Sequence, residues 1–351
     1  AYVLYWMIAA RRAHWNYGLQ QAAERARELG RPLVVLEALR LGYRWASPRL
    51  HRFIIQGMRD NEADFADRGV TYYPYVEPVD GAGRGLLEAL AKNACLVVTD
   101  EFPCFFLPRM VEAAGERLDV RLETVDGNGI LPLRAAGRVF TTAASFRRHL
   151  QKTLPGHLDR WPLADPLKEI RLPPPVAVPA TIRDRWPRAS AELLQDRPGA
   201  LDELPLDGPA PADLEGGPHA GARVLARFLG ERIDLYGTDR NHPDSDGSSG
   251  LSPYLHFGHI AAHEVVHRIL DADDWNPGCL GEVTGGRSGW WGTGEAAEAF
   301  LDEIVTWREV GYVFCHQRPD DYDRYSSLPD WARETLREHT GDPRPYLYTL
   351  E

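Results

Sequence analysis

Three hydroxyl side chains stand close together in Ser248-Ser249-Gly250-Leu251-Ser252, directly before Pro253, and that set of residues can hold phosphate. Ser248, Ser249 and Ser252 offer hydroxyl and backbone donors, Gly247 and Gly250 let a ligand approach the main chain, and Pro253 suits the first position of a helix. At a helix N-terminus the free N–H groups point outward and the dipole favours an anion, so the segment reads as a pyrophosphate cradle. An ordinary capped turn has the same composition, because Ser, Gly and Pro mark loops generally. On spacing alone the two readings are even.

A later segment, Phe300-Leu-Asp-Glu-Ile-Val-Thr-Trp-Arg-Glu309, is helical in character. Phe300, Ile304 and Trp307 or Arg308 recur at three- and four-residue steps. Glu303 and Trp307 are four apart, so on an α-helix they share a face and project a carboxylate and an indole together. Taken alone, the segment is as well explained by an amphipathic helix with Trp307 in the core and Glu303 in a surface pair. A third candidate is His263-Glu264-Val-Val-His267, the His-Glu-x-x-His spacing of zinc hydrolases, with His256 and His259 upstream. A catalytic zinc needs a third protein ligand, and the sequence downstream offers only ordinary acids such as Glu295 and Glu298. A zinc hydrolase is therefore a remote alternative, and no metal site is expected.

Short apolar runs alternate with helical stretches in residues 1–165. The strands fall at Tyr2–Met7, Pro32–Glu37, Val70–Tyr75 and Leu96–Thr99, and the helices at Trp15–Gly30, Leu50–Arg68 and Gly85–Lys92. Continuous apolar strands separated by helices predict a doubly wound α/β domain with a parallel sheet. Ligands of such sheets sit at the carboxyl ends of the strands, near Trp6–Ala10, Glu37–Leu39 and Thr99–Glu101. No Gly-x-Gly-x-x-Gly fingerprint marks a dinucleotide there. Residues 166–220 are rich in proline and glycine and read as a linker wrapping the surface. Residues 221–351 predict an all-helical domain, with helices at Gly221–Ile233, Pro253–Asp271, Glu295–Gln317 and Pro329–His339. Between two of these, the glycine-rich loop Gly281–Gly294 carries Trp290 and Trp291, which either stack on a base or flavin or pack in the core.

Taken as a set, these motifs resemble the flavin-binding half of the DNA photolyase and cryptochrome family. That pattern has a Tyr, an Arg four residues later, a Ser-Ser-x-Leu-Ser phosphate loop and then a helix of aromatic-Leu-x-Glu-Leu form. Here these are Tyr236, Arg240, Ser248-Ser249-Gly250-Leu251-Ser252 and Phe300-Leu301-Asp302-Glu303-Ile304. The opening Tyr2–Met7, Arg11-Arg12 and Asn16-Tyr-Gly-Leu19, with Trp307-Arg308-Glu309, looks most like the class II cyclobutane-dimer photolyases. The resemblance implies light-driven repair of pyrimidine dimers in UV-damaged DNA by electron transfer from reduced FAD. Tyr236, the serine loop and Phe300 would hold the cofactor, Glu303 and Trp307 would meet the extruded bases, and Arg240 and Arg308 would meet DNA. The alternative is a cryptochrome-like flavin photoreceptor without repair activity. In the family the first domain often holds an antenna chromophore, a deazaflavin or a folate, and these residues leave open whether this chain keeps one. The helical domain of the family runs on for roughly another hundred residues beyond the point matching Glu351, so the flavin pocket is expected to be incomplete here.

Composition sets the remaining bounds. Over 351 residues, 44% hydrophobic and 26% charged content is ordinary for a globular protein with a substantial core. The apolar runs fall short of the roughly 20 residues that span a bilayer, and no secretory signal is evident, so a soluble, cytoplasmic monomer is expected. The net charge of −11 does not by itself point to DNA, although phosphate contacts need only a few well-placed arginines. Candidates for these include Arg147, Arg148, Lys152, Arg287 and Arg318. Cys95, Cys104, Cys279 and Cys315 lack Cys-x-x-Cys spacing and are expected to be reduced core thiols.

Overall fold

The computed structural model describes residues 1–272 and 274–347. Strands β1 (Tyr2–Met7), β2 (Leu33–Leu39), β3 (Val70–Val76), β4 (Ala94–Glu101) and β5 (Leu122–Asp126) form one parallel sheet in the order β3-β2-β1-β4-β5. β1 is central. Its Tyr2, Leu4 and Trp6 enter one core layer while Val3, Tyr5 and Met7 enter the other, and a strand buried on both faces must be apolar throughout. The edge strand β5 adds to the four strands expected from sequence, because its half-exposed Leu-Glu-Thr-Val-Asp carries no apolar run. Helices α1 (Tyr17–Leu29), α2 (Pro48–Phe65), α3 (Leu86–Ala91) and α4 (Leu107–Arg117) flank the sheet. The Asn16 side chain caps α1 by accepting the Leu19 N–H, and Ser47 caps α2 by accepting that of Leu50.

The rest is helical: α5 (Ala143–Thr153), α6 (Ala180–Arg185), α7 (Ala191–Leu194), α8 (Pro218–Arg227), α9 (Tyr236–Asp239), α10 (Ser252–His256), α11 (Ala262–Asp271), α12 (Glu295–Leu301), α13 (Arg308–Gln317) and α14 (Asp330–Glu338). Two π-helical stretches, Phe228–Arg232 and Asp302–Trp307, widen the turns after α8 and between α12 and α13. The α/β class with a helical second half is as expected. No described helix is long and apolar enough to cross a membrane.

Four local expectations are corrected. The single helix foreseen over Pro253–Asp271 breaks into α10 and α11 at Gly258, whose φ of +71° ends the first. The proline-rich segment 166–220 is no mere surface wrap, because Val178, Ile182 and Trp186 are buried against the sheet. Residues from Ile130 to Leu158, foreseen with the α/β half, pack instead in the core of the helical half, since the apolar side of α5 faces it. The cysteines are not core thiols: Cys95 and Cys279 are exposed, and Cys104 and Cys315 are half-buried.

Candidate functional site

The serine turn is open. Ser248, Gly250 and Ser252 are exposed, and Ser249 Oγ accepts the Leu251 N–H at 3.3 Å, which folds the turn on itself without closing it. Gly250 takes φ +69°, which glycine allows at little cost. No side chain caps α10, which starts at Ser252 with Pro253 in its first turn. The Ser252 N–H thus has no capping side chain, and the side chains of Ser248 and Ser252 are exposed. Because α10 spans only five residues, these local donors rather than a long helix dipole would hold an anion. Leu251 is buried completely and anchors the turn in the core instead of lining it.

The turn connects to the later helix through Arg240. A Cβ on Gly247 would lie 2.6 Å from the Asp239 carbonyl carbon and 2.8 Å from the Arg240 nitrogen, so the missing side chain is what lets the turn abut α9. The Arg240 guanidinium lies 5.1 Å from the centre of the Tyr236 ring and pairs with Glu303 at 3.0 Å. Burial raises the Tyr236 phenol above its usual range, while a hydrogen bond with Arg240 pulls it back down. Behind it, Phe300 meets the Tyr236 ring at 4.9 Å and Phe228 at 4.6 Å, both in the core. Phe300 is therefore a buried backing for Tyr236.

Glu303 and Trp307 do not share a plain α-helical turn. They lie in the π-helical stretch, whose i→i+5 bonding widens the turn to more than four residues, so residues four apart still fall on nearly the same face. Such bulges are frequent at functional sites. Trp307 is 45% exposed, which excludes the reading that puts it in the core. Glu303 does have a surface partner, as an ordinary helix would give it, but that partner is the arginine beside the serine turn. The next residue, Arg308 at the start of α13, donates to the Asn128 carbonyl and lies over the Tyr312 ring at 4.6 Å.

The π stretch is pinned from the other side. Arg147 of α5 grips Asp302 through two bonds, Nε to Oδ1 at 2.7 Å and Nη2 to Oδ2 at 2.8 Å, and both side chains are buried. The glycine-rich loop rests on α5 through Gln151, which bonds Gly285 and Gly286. Trp290 and Trp291 are buried against each other at 4.8 Å, so they serve packing. Arg148 and Lys152 of α5 and Arg287 on that loop are exposed.

The zinc spacing is otherwise engaged. Glu264, the residue that would activate water, pairs with Arg268 at 2.6 Å. His263 stands edge-on to Tyr17 at 5.3 Å, and His267 meets Trp15 at 4.9 Å. Among the described residues no three His, Cys, Asp or Glu side chains converge as a metal site.

At the carboxyl ends of the strands, beside the switch between β1 and β4, lies a cavity of about 1230 Å³. Trp6, Ile8, Leu36 and Tyr75 are among its lining residues, together with Tyr43, Trp45, Phe105 and Phe106. The last four form an aromatic cluster with ring separations of 5.8–6.3 Å. Asp100 at the end of β4 shapes the adjoining loop. Its Oδ2 accepts the N–H groups of Ile8, Ala9 and Ala10, and its Oδ1 accepts the Tyr5 hydroxyl at 2.6 Å. The sequence flagged Trp6–Ala10 and Asp100 by strand-end position, but it gave no sign of the aromatic cluster, whose members come from two separate loops.

Glu309 ties α13 to the loop that follows β5. Its buried carboxyl accepts the N–H groups of Ile130 at 2.6 Å and Leu131 at 3.1 Å. Burial pushes it from the ordinary 4.5 up to about 8, against the pull of those donors and of Arg308. The folded chain thus keeps a proton that the unfolded chain sheds, so this group favours folding fully below about pH 4.5 and loses that contribution as pH rises through about 8. Stability is expected to decline across that window with a slope of at most about 1.4 kcal/mol for each step of one in pH. Urea midpoints at about pH 5 and about pH 8 should show the decline in the native chain and a flatter profile in Glu309→Gln; equal slopes in both would refute it.

Comparison with known proteins places this architecture. No protein-family model matches the chain. A deoxyribodipyrimidine photo-lyase of Methanothermobacter thermautotrophicus is 30% identical over 357 residues, which cover 100% of this chain and 69% of that protein. One from Arabidopsis thaliana is 26% identical over 361 residues, covering 99% and 66%. The chain thus spans about two thirds of the length of these curated relatives. Among solved structures, a class III photolyase from Agrobacterium tumefaciens superposes with a TM-score of 0.64 at 18% identity, covering 97% of this chain and 65% of that one. A Synechocystis cryptochrome gives 0.57 at 14%, covering 96% and 68%. The structural likenesses speak for the fold alone, but the archaeal relative is matched from end to end of this chain, and on that ground the chain belongs to the DNA photolyase and cryptochrome family.

Proposed function

We propose that this chain carries the repair site of a class II type photolyase, which splits cyclobutane pyrimidine dimers in UV-damaged DNA under light. The observation that supports this most is the Arg240 bridge, which sets the open serine turn and Glu303 on one surface. The donor set fits a flavin nucleotide: the exposed hydroxyls of Ser248 and Ser252, a glycine at φ +69° and the uncapped Ser252 N–H would take the diphosphate of FAD. Reduced FAD, when bound and excited by light, supplies the electron for the ring-splitting reaction.

The chain's own residues would position the substrate. Glu303, steadied by Arg240, accepts hydrogen bonds from the base edge of an extruded dimer, and the exposed Trp307 indole offers an apolar face to the bases. The exposed Arg148, Lys152 and Arg287 would meet phosphates, contacts that need only a few well-placed cations despite the net charge of −11. Arg240 and Arg308 serve the protein's own geometry first, through Glu303 and Asn128, so any contact they make with DNA is secondary. The strand-end cavity is large enough for a planar antenna of deazaflavin or folate type, its aromatic cluster stacking on the ring.

Two measurements on the purified protein test this reading. An absorption spectrum over about 350–500 nm should show a flavin, and blue light should remove dimers from an oligonucleotide. Glu303→Gln is expected to keep the flavin yet slow repair by about tenfold or more, the worth of a hydrogen bond to a charged group. Bound flavin with undiminished dimers would support the photoreceptor instead, and unchanged repair in Glu303→Gln would remove Glu303 from the site.

A further inference from the structure

The loop after β4 and helix α13 come from opposite halves of the chain, yet they meet around two thiols. Phe102 packs edge-on to Tyr312 of α13 with ring centres 5.5 Å apart. The Phe105 N–H donates to the Tyr322 hydroxyl at 2.8 Å. Cys104 lies between those two anchors, and Cys315, three residues after Tyr312, shares its face of α13. The two thiols lie close enough to shift each other, and both to influence the Tyr322 hydroxyl. Cys104 also lines the strand-end cavity, so a small molecule can reach the pair.

We propose that Cys104 and Cys315 are a redox-active dithiol whose disulfide fastens the wall of the strand-end cavity to α13. Cys315 is suited to attack first, because the neighbouring Cys104 thiol holds it below the usual range and is itself raised in turn. With a small-molecule disulfide as oxidant, the Cys315 thiolate bonds to one sulfur and expels the other as thiolate. Cys104 then attacks the Cys315 sulfur and expels the second thiolate. Its proton goes to a leaving group, the small disulfide gains two electrons and the protein loses two. The bridge joins the cavity wall to the helix that continues from Glu303 and Trp307, so the thiol redox state sets how firmly the two regions are coupled.

The full chain, incubated with oxidised glutathione and then alkylated with iodoacetamide, should lose two of its four reactive cysteines, and peptide mapping should recover Cys104 joined to Cys315. The exposed Cys95 and Cys279 should stay alkylatable and act as internal controls. Dithiothreitol should restore all four. Cys104→Ser and Cys315→Ser should each abolish the cross-link and leave glutathione held only on the remaining thiol, so the result does not hang on one variant folding. Continued alkylation of Cys104 and Cys315 after oxidation, a persistent glutathione adduct on either of these two in the native chain, or bridges to Cys95 or Cys279 would each overturn the proposal.

Discussion

Replacing Arg147 by methionine is expected to destabilise the chain by about 3–5 kcal/mol, the effect of stranding one partner of a buried ion pair. Asp302 keeps both oxygens on Arg147 with only 8% of its side chain exposed, so the variant leaves a carboxylate without a cation in the core. The same guanidinium reaches the Gly285 carbonyl, so the glycine-rich loop loosens too. The double variant Arg147→Met/Asp302→Leu should recover most of the loss, because a buried pair replaced by apolar side chains of similar size is often nearly neutral. Denaturant midpoints of the native chain and both variants measure this. A single variant no less stable than the double would show that the pair is not the anchor it looks to be. Asp302 is the first residue of the π stretch and Glu303 the second, so, on the proposed function, the single variant should weaken dimer binding even where it still folds.

What the sequence disclosed depends on how local each feature is. The serine turn could be read because its chemistry resides in its own residue types, and β1 to β4 because strands buried on both faces advertise themselves as apolar runs. β5 failed that test as a half-exposed edge strand. The linker segment hid its packing role because Val178, Ile182 and Trp186 are single apolar residues spaced among prolines, and only the sheet surface they meet explains them.

The site itself was legible as a list and not as a geometry. An α-helical period puts Glu303 and Trp307 on one face and the π turn keeps them nearly so, but nothing in Asp302–Trp307 announces that wider turn. The Arg240–Glu303 and Arg147–Asp302 pairs join residues far apart in sequence, and charge alone does not select between many possible partners. Arg240 therefore reads from sequence as a DNA contact, whereas its carboxylate partner and the Tyr236 ring account for its position.

Alanine at Gly258 is expected to be nearly as damaging, for a reason that lies in the backbone. Its φ is +71°, where an L-residue costs about 1–2 kcal/mol. A methyl there would stand 1.7 Å from the Ala9 oxygen and 3.0 Å from the Arg11 nitrogen. Ala9 cannot withdraw easily, because its own N–H and those of Ile8 and Ala10 converge on Asp100, and Arg12 donates to the Gly258 carbonyl at 2.9 Å. Overpacking of this kind typically adds about 1–3 kcal/mol, so the loss should total roughly 2–5 kcal/mol. Gly311 is the internal control: it lies within α13 with open space around its Cβ position, and alanine there should stabilise by about 0.5–1 kcal/mol. If urea midpoints rank Gly258→Ala beside Gly311→Ala, the close contact between α10 and the strand-end loop is not present in solution. If they separate as expected, Gly258 is the point at which the serine turn's helix is seated on the α/β half, and its alanine variant should also lose affinity for a flavin nucleotide, because α10 must move to make room.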